Sequence, residues 1–250
     1  MRWNTICFDL DNTLFSHEEA FEHAIMHTFE ETLKELNKSY DNLPPINIKE
    51  WFRTFKYNCD YYWGDFENNK MTHEEYRKIR FNKTMEAFGL PVGPKSAKQF
   101  HDQYEEVVVG YSVPFKGLHE LLSTLNKTEI KLGIITNGKK ETQERKVMQL
   151  EIEKYIPLEH VIVSEDAGAE KPEQEIFDHA LEKINGEKYK ALFIGDSWEL
   201  DVQGAISAKW DAIFLNTRHE KRTDGYEPLT EHFTLSETAQ FLYRSLHLKG

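Results

Sequence analysis

Five short apolar runs punctuate the chain, and each is followed at once by polar residues. Thr5-Ile6-Cys7-Phe8 leads into Asp9, Leu132-Gly133-Ile134-Ile135 into Thr136-Asn137-Gly138, and Val161-Ile162-Val163 into Ser164-Glu165. Ala191-Leu192-Phe193-Ile194 leads into Gly195-Asp196, and Ala212-Ile213-Phe214-Leu215 into Asn216-Thr217. The runs are continuously apolar rather than alternating, which is the pattern of strands covered on both faces. Helix-like stretches over 118–125, 140–150, 173–184 and 200–208 separate most of them. Strand, helix, strand repetition predicts an α/β fold built on a doubly wound parallel sheet. In such a sheet ligands bind beyond the carboxyl ends of the strands, which is where the polar clusters fall.

Residues 16–113 break this rhythm. They read as helices over 17–37, 49–62, 72–88 and 95–109, interrupted by Asn42-Leu43-Pro44-Pro45 and by Gly89-Leu90-Pro91-Val92-Gly93-Pro94. Thr72 followed by Glu75 fits a capping box at the start of the third helix. The expected organisation is a Rossmann-like core of 1–15 plus 114–250, with 16–113 inserted as a helical domain. Connections at 15–18 and 113–117 would join the two.

A chain of 250 residues with 39% hydrophobic content has material for one core of that size and a smaller insertion. Its net charge of −12 argues against a nucleic-acid polymer or a membrane surface as partner, since both favour a basic face. No apolar run approaches bilayer length, and the N-terminal apolar stretch is too short for a signal peptide. Cys7 and Cys59 suggest no disulfide framework, Cys7 reads as a small buried hydrophobe, and a cytoplasmic location is expected.

Four clusters carry chemistry. Asp9-Leu10-Asp11-Asn12-Thr13 places two carboxylates two positions apart after a buried strand, where their repulsion calls for a cation or a shared proton. Mg²⁺, a hard cation, would relieve it; the plainer alternative is an acidic turn capping a helix. Thr136-Asn137-Gly138 offers a hydroxyl, an amide and a flexible backbone for anion oxygens, and is also an ordinary turn signal. Lys171, in Glu170-Lys171-Pro172, is a point charge at a helix start or a solvated surface lysine. Asp196, directly after a strand, can complete a metal site, with Asp201 behind it, holding Lys171, or simply starting a helix.

Taken together and in order, these residues resemble the four motifs of the haloacid dehalogenase superfamily: Asp9 to Thr13, then Thr136, then Lys171, then Gly195-Asp196 through Asp201. The resemblance covers nearly the whole chain and makes 16–113 the superfamily's helical type-one cap. It implies that Asp9 is a nucleophile that becomes phosphorylated and that Asp11 is the acid and base. It further implies Mg²⁺ held by Asp9, Asp11 and Asp196, with Thr136, Asn137, Gly138 and Lys171 binding the phosphoryl group. Asp11 separates this chain from the dehalogenase branch, in which the second aspartate is absent. The segments 62–68, 133–138 and 164–172 are similar to the bacterial pyrimidine 5'-nucleotidase group, which implies a small phosphomonoester substrate, a nucleoside monophosphate. Among Trp51, Phe52, Phe55, Tyr62, Trp63 and Phe66, a base-stacking surface or packing of the inserted domain is expected. A sugar phosphate is the alternative substrate, and a non-catalytic phosphate-responsive regulator is the alternative from another class. The stretch 219–222 reads as a solvated loop.

Overall fold

The computed structural model describes residues 2–222 and 225–248; Met1 and 249–250, the ends of the expected core, lie outside the described residues. In chain order the elements are β1 (Thr5–Phe8), α1 (His17–Ser39), α2 (Ile48–Glu67), α3 (His73–Ala87), α4 (Ser96–Val107), α5 (Leu118–Asn126), β2 (Lys131–Thr136) and α6 (Lys140–Gln149). There follow β3 (Val161–Val163), α7 (Ser164–Ala167), α8 (Gln174–Ile184), β4 (Ala191–Gly195), a π-helical turn (Trp198–Gln203), α9 (Gly204–Ser207), β5 (Asp211–Leu215), β6 (Thr230–His232) and α10 (Leu235–Leu246). The chain forms two compact units, Met1–His17 with Ser112–Gly250, and Glu18–Tyr111.

The first unit is a six-stranded sheet in the order β3-β2-β1-β4-β5-β6, every pair parallel, with helices on both sides. Parallel strands without exposed faces explain why β1 and β4 are buried at every position. On one face Phe177, Trp198, Ala205, Trp210 and Phe214 pack with Ile135 and Ile162. Gly133 makes that packing possible, because a Cβ there would stand 2.3 Å from Ile184 Cδ1. Phe8 is level with Ile134 on one neighbouring strand and Ile194 on the other, so the chain leaves β1, β2 and β4 at nearly the same height. That register gathers Asp9, Thr136 and Asp196 at one edge of the sheet.

The second unit is helical. Its interior is aromatic: Trp51 stacks on Phe29 with ring centres 3.7 Å apart, and Phe55, Phe81 and Phe100 close around the pair. The Thr72–Glu75 capping box opens α3 as its residues dictate. His101 is buried in the same interior, with Nε2 3.1 Å from the Arg77 carbonyl.

β6 and α10 were not expected, and neither was the single turn α7. β6 reads Thr-Glu-His, an edge strand of half-buried polar residues with no apolar run to announce it. α10 follows directly, opened by a second capping box in which Thr234 and Glu237 satisfy each other's backbone N–H groups. The stretch 219–222 is a solvated loop as expected, with His219, Lys221 and Arg222 exposed, and it is also tied down. The Asn216 side chain exchanges hydrogen bonds with the backbone of Glu220, His219 stacks on Phe233, and Arg222 pairs with Glu231.

Candidate active site

Lys171 is the centre of the site. Its Nζ donates to Asp9 Oδ1 at 2.5 Å and to Asp201 Oδ1 at 2.7 Å, and all three side chains are buried. Asp201 sits in the π-helical turn after β4, with Oδ2 accepting from the Ser197 N–H at 2.9 Å. It can come so close to the strand because residue 195 is glycine: a Cβ there would lie 2.4 Å from the Asp201 carboxylate. Lys171 is fixed from behind by Asn137, whose side chain accepts from its N–H and donates to its carbonyl, at 2.9 and 3.0 Å.

Both polar atoms of the Asn137 side chain are engaged on the Lys171 backbone, so Asn137 positions the lysine, with one of its two Nδ2 hydrogens left for an anion oxygen. Gly138 adopts a φ of 141°, and its N–H donates to Ser164 Oγ at 3.0 Å. That N–H braces this loop against the start of α7.

The acids outnumber their cations. Carboxylate oxygens of Asp9, Asp196 and Asp201 lie within 4.8 Å of one another, all three residues being buried. Burial, then the charge of Asp201, pushes Asp9 up to about 7 against the opposing pull of Lys171. Burial, then the charges of Asp9 and Asp201, pushes Asp196 up to about 8, with Arg218 opposing. For Lys171, burial works against the charged form, but Asp201 and Asp9 outweigh it and hold the ammonium above its ordinary value. Asp196 Oδ1 accepts from Thr13 Oγ1 at 3.4 Å. Asp196 Oδ2 is buried without a well-formed hydrogen bond, facing Arg218 Nη2 at 2.8 Å.

Buried acids in excess, one of them with an oxygen held only by the Arg218 ion pair, suit a hard divalent cation such as Mg²⁺. Asp9 and Asp196 have the free coordinating capacity for it. Asp201, with both oxygens engaged, is placed to hold Lys171.

Asp11 stands apart from this group. Lys146 Nζ reaches both its oxygens, at 2.7 and 2.8 Å, and Gln143 Nε2 donates to Oδ2 at 3.0 Å. His17 Nδ1 is 3.6 Å from Oδ1. Burial raises the Asp11 carboxyl, but Lys146, His17 and the Gln143 hydrogen bond outweigh it and hold it below the usual carboxylate range. Gln143 Nε2 also lies 2.6 Å from Thr136 Oγ1 and 3.0 Å from the Asn137 carbonyl, so its two N–H groups are shared among three acceptors.

Gln143, Lys146 and Arg218 were not singled out from sequence. A signal existed for the first two: 143, 146, 147 and 150 form one buried stripe of α6 and the residue after it, and two of its four members are polar. A cavity of about 780 Å³, lined by Phe115, Lys116, Thr217, Phe233, Gln240 and Tyr243, includes none of the four acids in its walls.

Residues 3–209 match the family model of the haloacid dehalogenase-like hydrolases. The chain is 27% identical to pyrimidine 5'-nucleotidase YjjG of Escherichia coli (strain K12), over 97% of this chain and 99% of that one. It is 28% identical to glyceraldehyde 3-phosphate phosphatase of Pyrococcus abyssi, over 84% of this chain and 80% of that one. Among solved structures, YfnB of Bacillus subtilis, determined with bound magnesium, is similar over 99% of this chain and all of its own, with a TM-score of 0.78 and 25% identity. With Asp9, Lys171 and the acids Asp196 and Asp201 at one edge of a parallel sheet and a family match over most of its length, this chain belongs to the haloacid dehalogenase-like hydrolases.

Proposed function

We propose that the chain is a Mg²⁺-dependent phosphomonoesterase that works through an aspartyl-phosphate on Asp9, with a nucleoside 5'-monophosphate as substrate. The observation that carries this reading is the separation of roles between two nearby carboxylates. Asp9 is held by Lys171 among buried acids, whereas Asp11 is held by Lys146 and Gln143.

Asp11, a carboxylate in the free enzyme, takes up a proton from solvent as the substrate binds. Asp9 attacks phosphorus as the bond to the departing oxygen breaks, and that proton goes from Asp11 to the departing oxygen. Asp11 then takes a proton from water as the water oxygen displaces Asp9 from phosphorus. Inorganic phosphate leaves, Asp11 returns its proton to solvent, and both carboxylates are back in their starting state. Lys171 offsets the charge of the nucleophile and of the phosphoryl oxygens, and Thr136 Oγ1 donates to one of them. Asp9, the Asp11 carbonyl and Asp196 would hold Mg²⁺, which supplies further neutralisation of phosphate charge.

Glu18–Tyr111 serves as the cap in this reading. Its burial pattern narrows which aromatic residues can meet a base: Trp51 and Phe55 lie in the interior, whereas Trp63 is 49% exposed. Likeness to YjjG supports the nucleotide substrate. Likeness to the Pyrococcus enzyme supports a small sugar-type phosphate as second reading.

Phosphate release from nucleoside monophosphates and sugar phosphates, with Mg²⁺ and an Asp9→Asn control, tests the proposal. Asp9-dependent release favouring pyrimidine nucleotides is expected. Release confined to sugar phosphates would discard the substrate and keep the chemistry. No release from any substrate would discard both.

A further inference from the structure

We infer that Gln143 and Lys146 are positioning residues that fix the Asp11 carboxylate and set the donor direction of the Thr136 hydroxyl. The inference rests on the proposed phosphatase chemistry and adds to it two residues that act through Asp11 and Thr136 rather than on the substrate.

The two side chains stand three residues apart on α6 and are 2% and 5% exposed. Burying an ammonium and an amide is costly unless their hydrogen bonds are satisfied, and the partners available here all belong to the site. Lys146 Nζ bonds both oxygens of Asp11, which restrains rotation of the carboxylate about its own axis. The same Nζ lies 5.9 Å from the centre of the Phe15 ring.

Gln143 Nε2 has three acceptors within reach: Asp11 Oδ2 at 3.0 Å, Thr136 Oγ1 at 2.6 Å and the Asn137 carbonyl at 3.0 Å. The negative charge of Asp11 decides that the nitrogen, not the oxygen, of this amide faces it. Gln143 Oε1 is buried without a hydrogen-bond partner, so the side chain tolerates an unsatisfied acceptor in order to place its nitrogen here. A hydroxyl that accepts from an amide keeps its own proton for another acceptor. Gln143 therefore leaves Thr136 as a donor, the role that a phosphoryl oxygen requires.

The prediction is a dependence on the leaving group. An alkyl phosphate such as thymidine 5'-monophosphate needs a proton on its departing oxygen, and p-nitrophenyl phosphate does not. If Lys146 orients the proton donor, Lys146→Met should lower kcat/KM by ~100-fold on the alkyl phosphate, within the range of general acid catalysis, and by less than ~10-fold on p-nitrophenyl phosphate. Lys146→Arg, which keeps the charge and hydrogen bonds, should recover most of the loss.

Gln143→Leu should lower kcat/KM on both substrates, because Thr136 binds either phosphoryl group, with the larger loss on the alkyl phosphate. The two positions are measured separately, with melting temperatures, so that a fold lost in one variant leaves the other to decide. Equal losses on both substrates in both variants, or no recovery with arginine, would overturn the inference. A wild-type protein inactive on both substrates would instead overturn the phosphatase reading beneath it.

Discussion

Arg218 Nη2 lies 2.8 Å from Asp196 Oδ2 and 2.5 Å from Glu220 Oε1, so one guanidinium nitrogen bridges a buried acid of the site and an acid of the loop after β5. Asp196 is nearly enclosed, whereas the arginine side chain is 31% exposed. A divalent cation on Asp196 would displace this contact, and Glu220 is already in place to receive the released guanidinium. Replacing Arg218 by alanine removes the competitor. Allowing for solvent screening, such a pair contributes about 1 kcal/mol, so Mg²⁺ should bind ~5-fold more tightly to Arg218→Ala, measured by calorimetry. Weaker binding would show that the arginine supports the metal site instead of competing for it.

The buried acids also set how stability responds to pH when Mg²⁺ is removed. Asp9 and Asp196 have folded-state values near 7 and 8, above the ordinary value of 3.8, so between about 4 and 8 the folded state binds more protons than the unfolded one. Stability therefore falls as pH rises through that window. Lys171 is shifted upward from 10.5, so its contribution is lost only above the window. In chelator, the melting temperature of the core unit should be lower at pH 8.5 than at pH 6. Asp9→Asn should flatten the slope and abolish turnover without loss of fold. A melting temperature that rises from pH 6 to 8.5 would contradict the crowding of charge described for Asp9, Asp196 and Asp201.

The helical unit should respond in the opposite direction. His101 is pushed down to about 3 by burial and then by the Arg80 cation. Its Nε2 meets the Arg77 carbonyl, and Nδ1 is buried without a partner, so a second ring proton would have no acceptor. Below the ordinary histidine value of 6.5 the unfolded chain takes up a proton that the folded unit refuses, and stability falls as pH drops from about 6.5 toward 3. Urea unfolding at pH 7.5 and 5 should show this loss in the wild type and a smaller one in His101→Gln. Equal losses would assign the acid sensitivity to other groups.

The fold was legible because β1, β2, β3, β4 and β5 lie in a sheet covered on both sides, and that environment demands uninterrupted apolar runs that no surface strand needs. The acids and Lys171 were legible because each follows such a run, or its connecting loop, at a spacing shared by a family. Gln143 and Lys146 escaped notice for a physical reason. In Lys139-Lys140-Glu141-Thr142-Gln143-Glu144-Arg145-Lys146, the buried lysine is chemically indistinguishable from its solvated neighbours. The spacing of Gln143 and Lys146 from Val147 and Leu150 hints at a buried face, but the return of α6 toward Asp11, more than 130 positions earlier, is what gives that face its partner. Asn137 illustrates the converse: its type and place were noticed, but its partner, the Lys171 backbone, is determined by the tertiary structure.

Gly195 offers a test of how tightly the Asp9–Lys171–Asp201 arrangement must be held. Its backbone is an ordinary strand end, so alanine is acceptable there conformationally; the obstacle is the Asp201 carboxylate, 2.4 Å from where the Cβ would stand. That carboxylate cannot move aside freely, because one oxygen is bonded to Lys171 Nζ and the other to the Ser197 N–H. Gly195→Ala must therefore either lift Asp201 off Lys171 or push the turn 198–203 outward. Overpacking of this kind costs about 1–3 kcal/mol, which the folded state can bear. Turnover is the more sensitive quantity, since a displacement of about 1 Å in a catalytic group can cost ~100-fold in rate. The expected result is a folded Gly195→Ala protein with kcat for phosphate release lowered by about that factor. Asp201→Asn, which weakens the same contact without adding an atom, should lower it in the same direction. Full activity in Gly195→Ala would mean that Lys171 is oriented well enough by Asn137 and Asp9 alone, and that the close approach of Asp201 to the end of β4 serves packing.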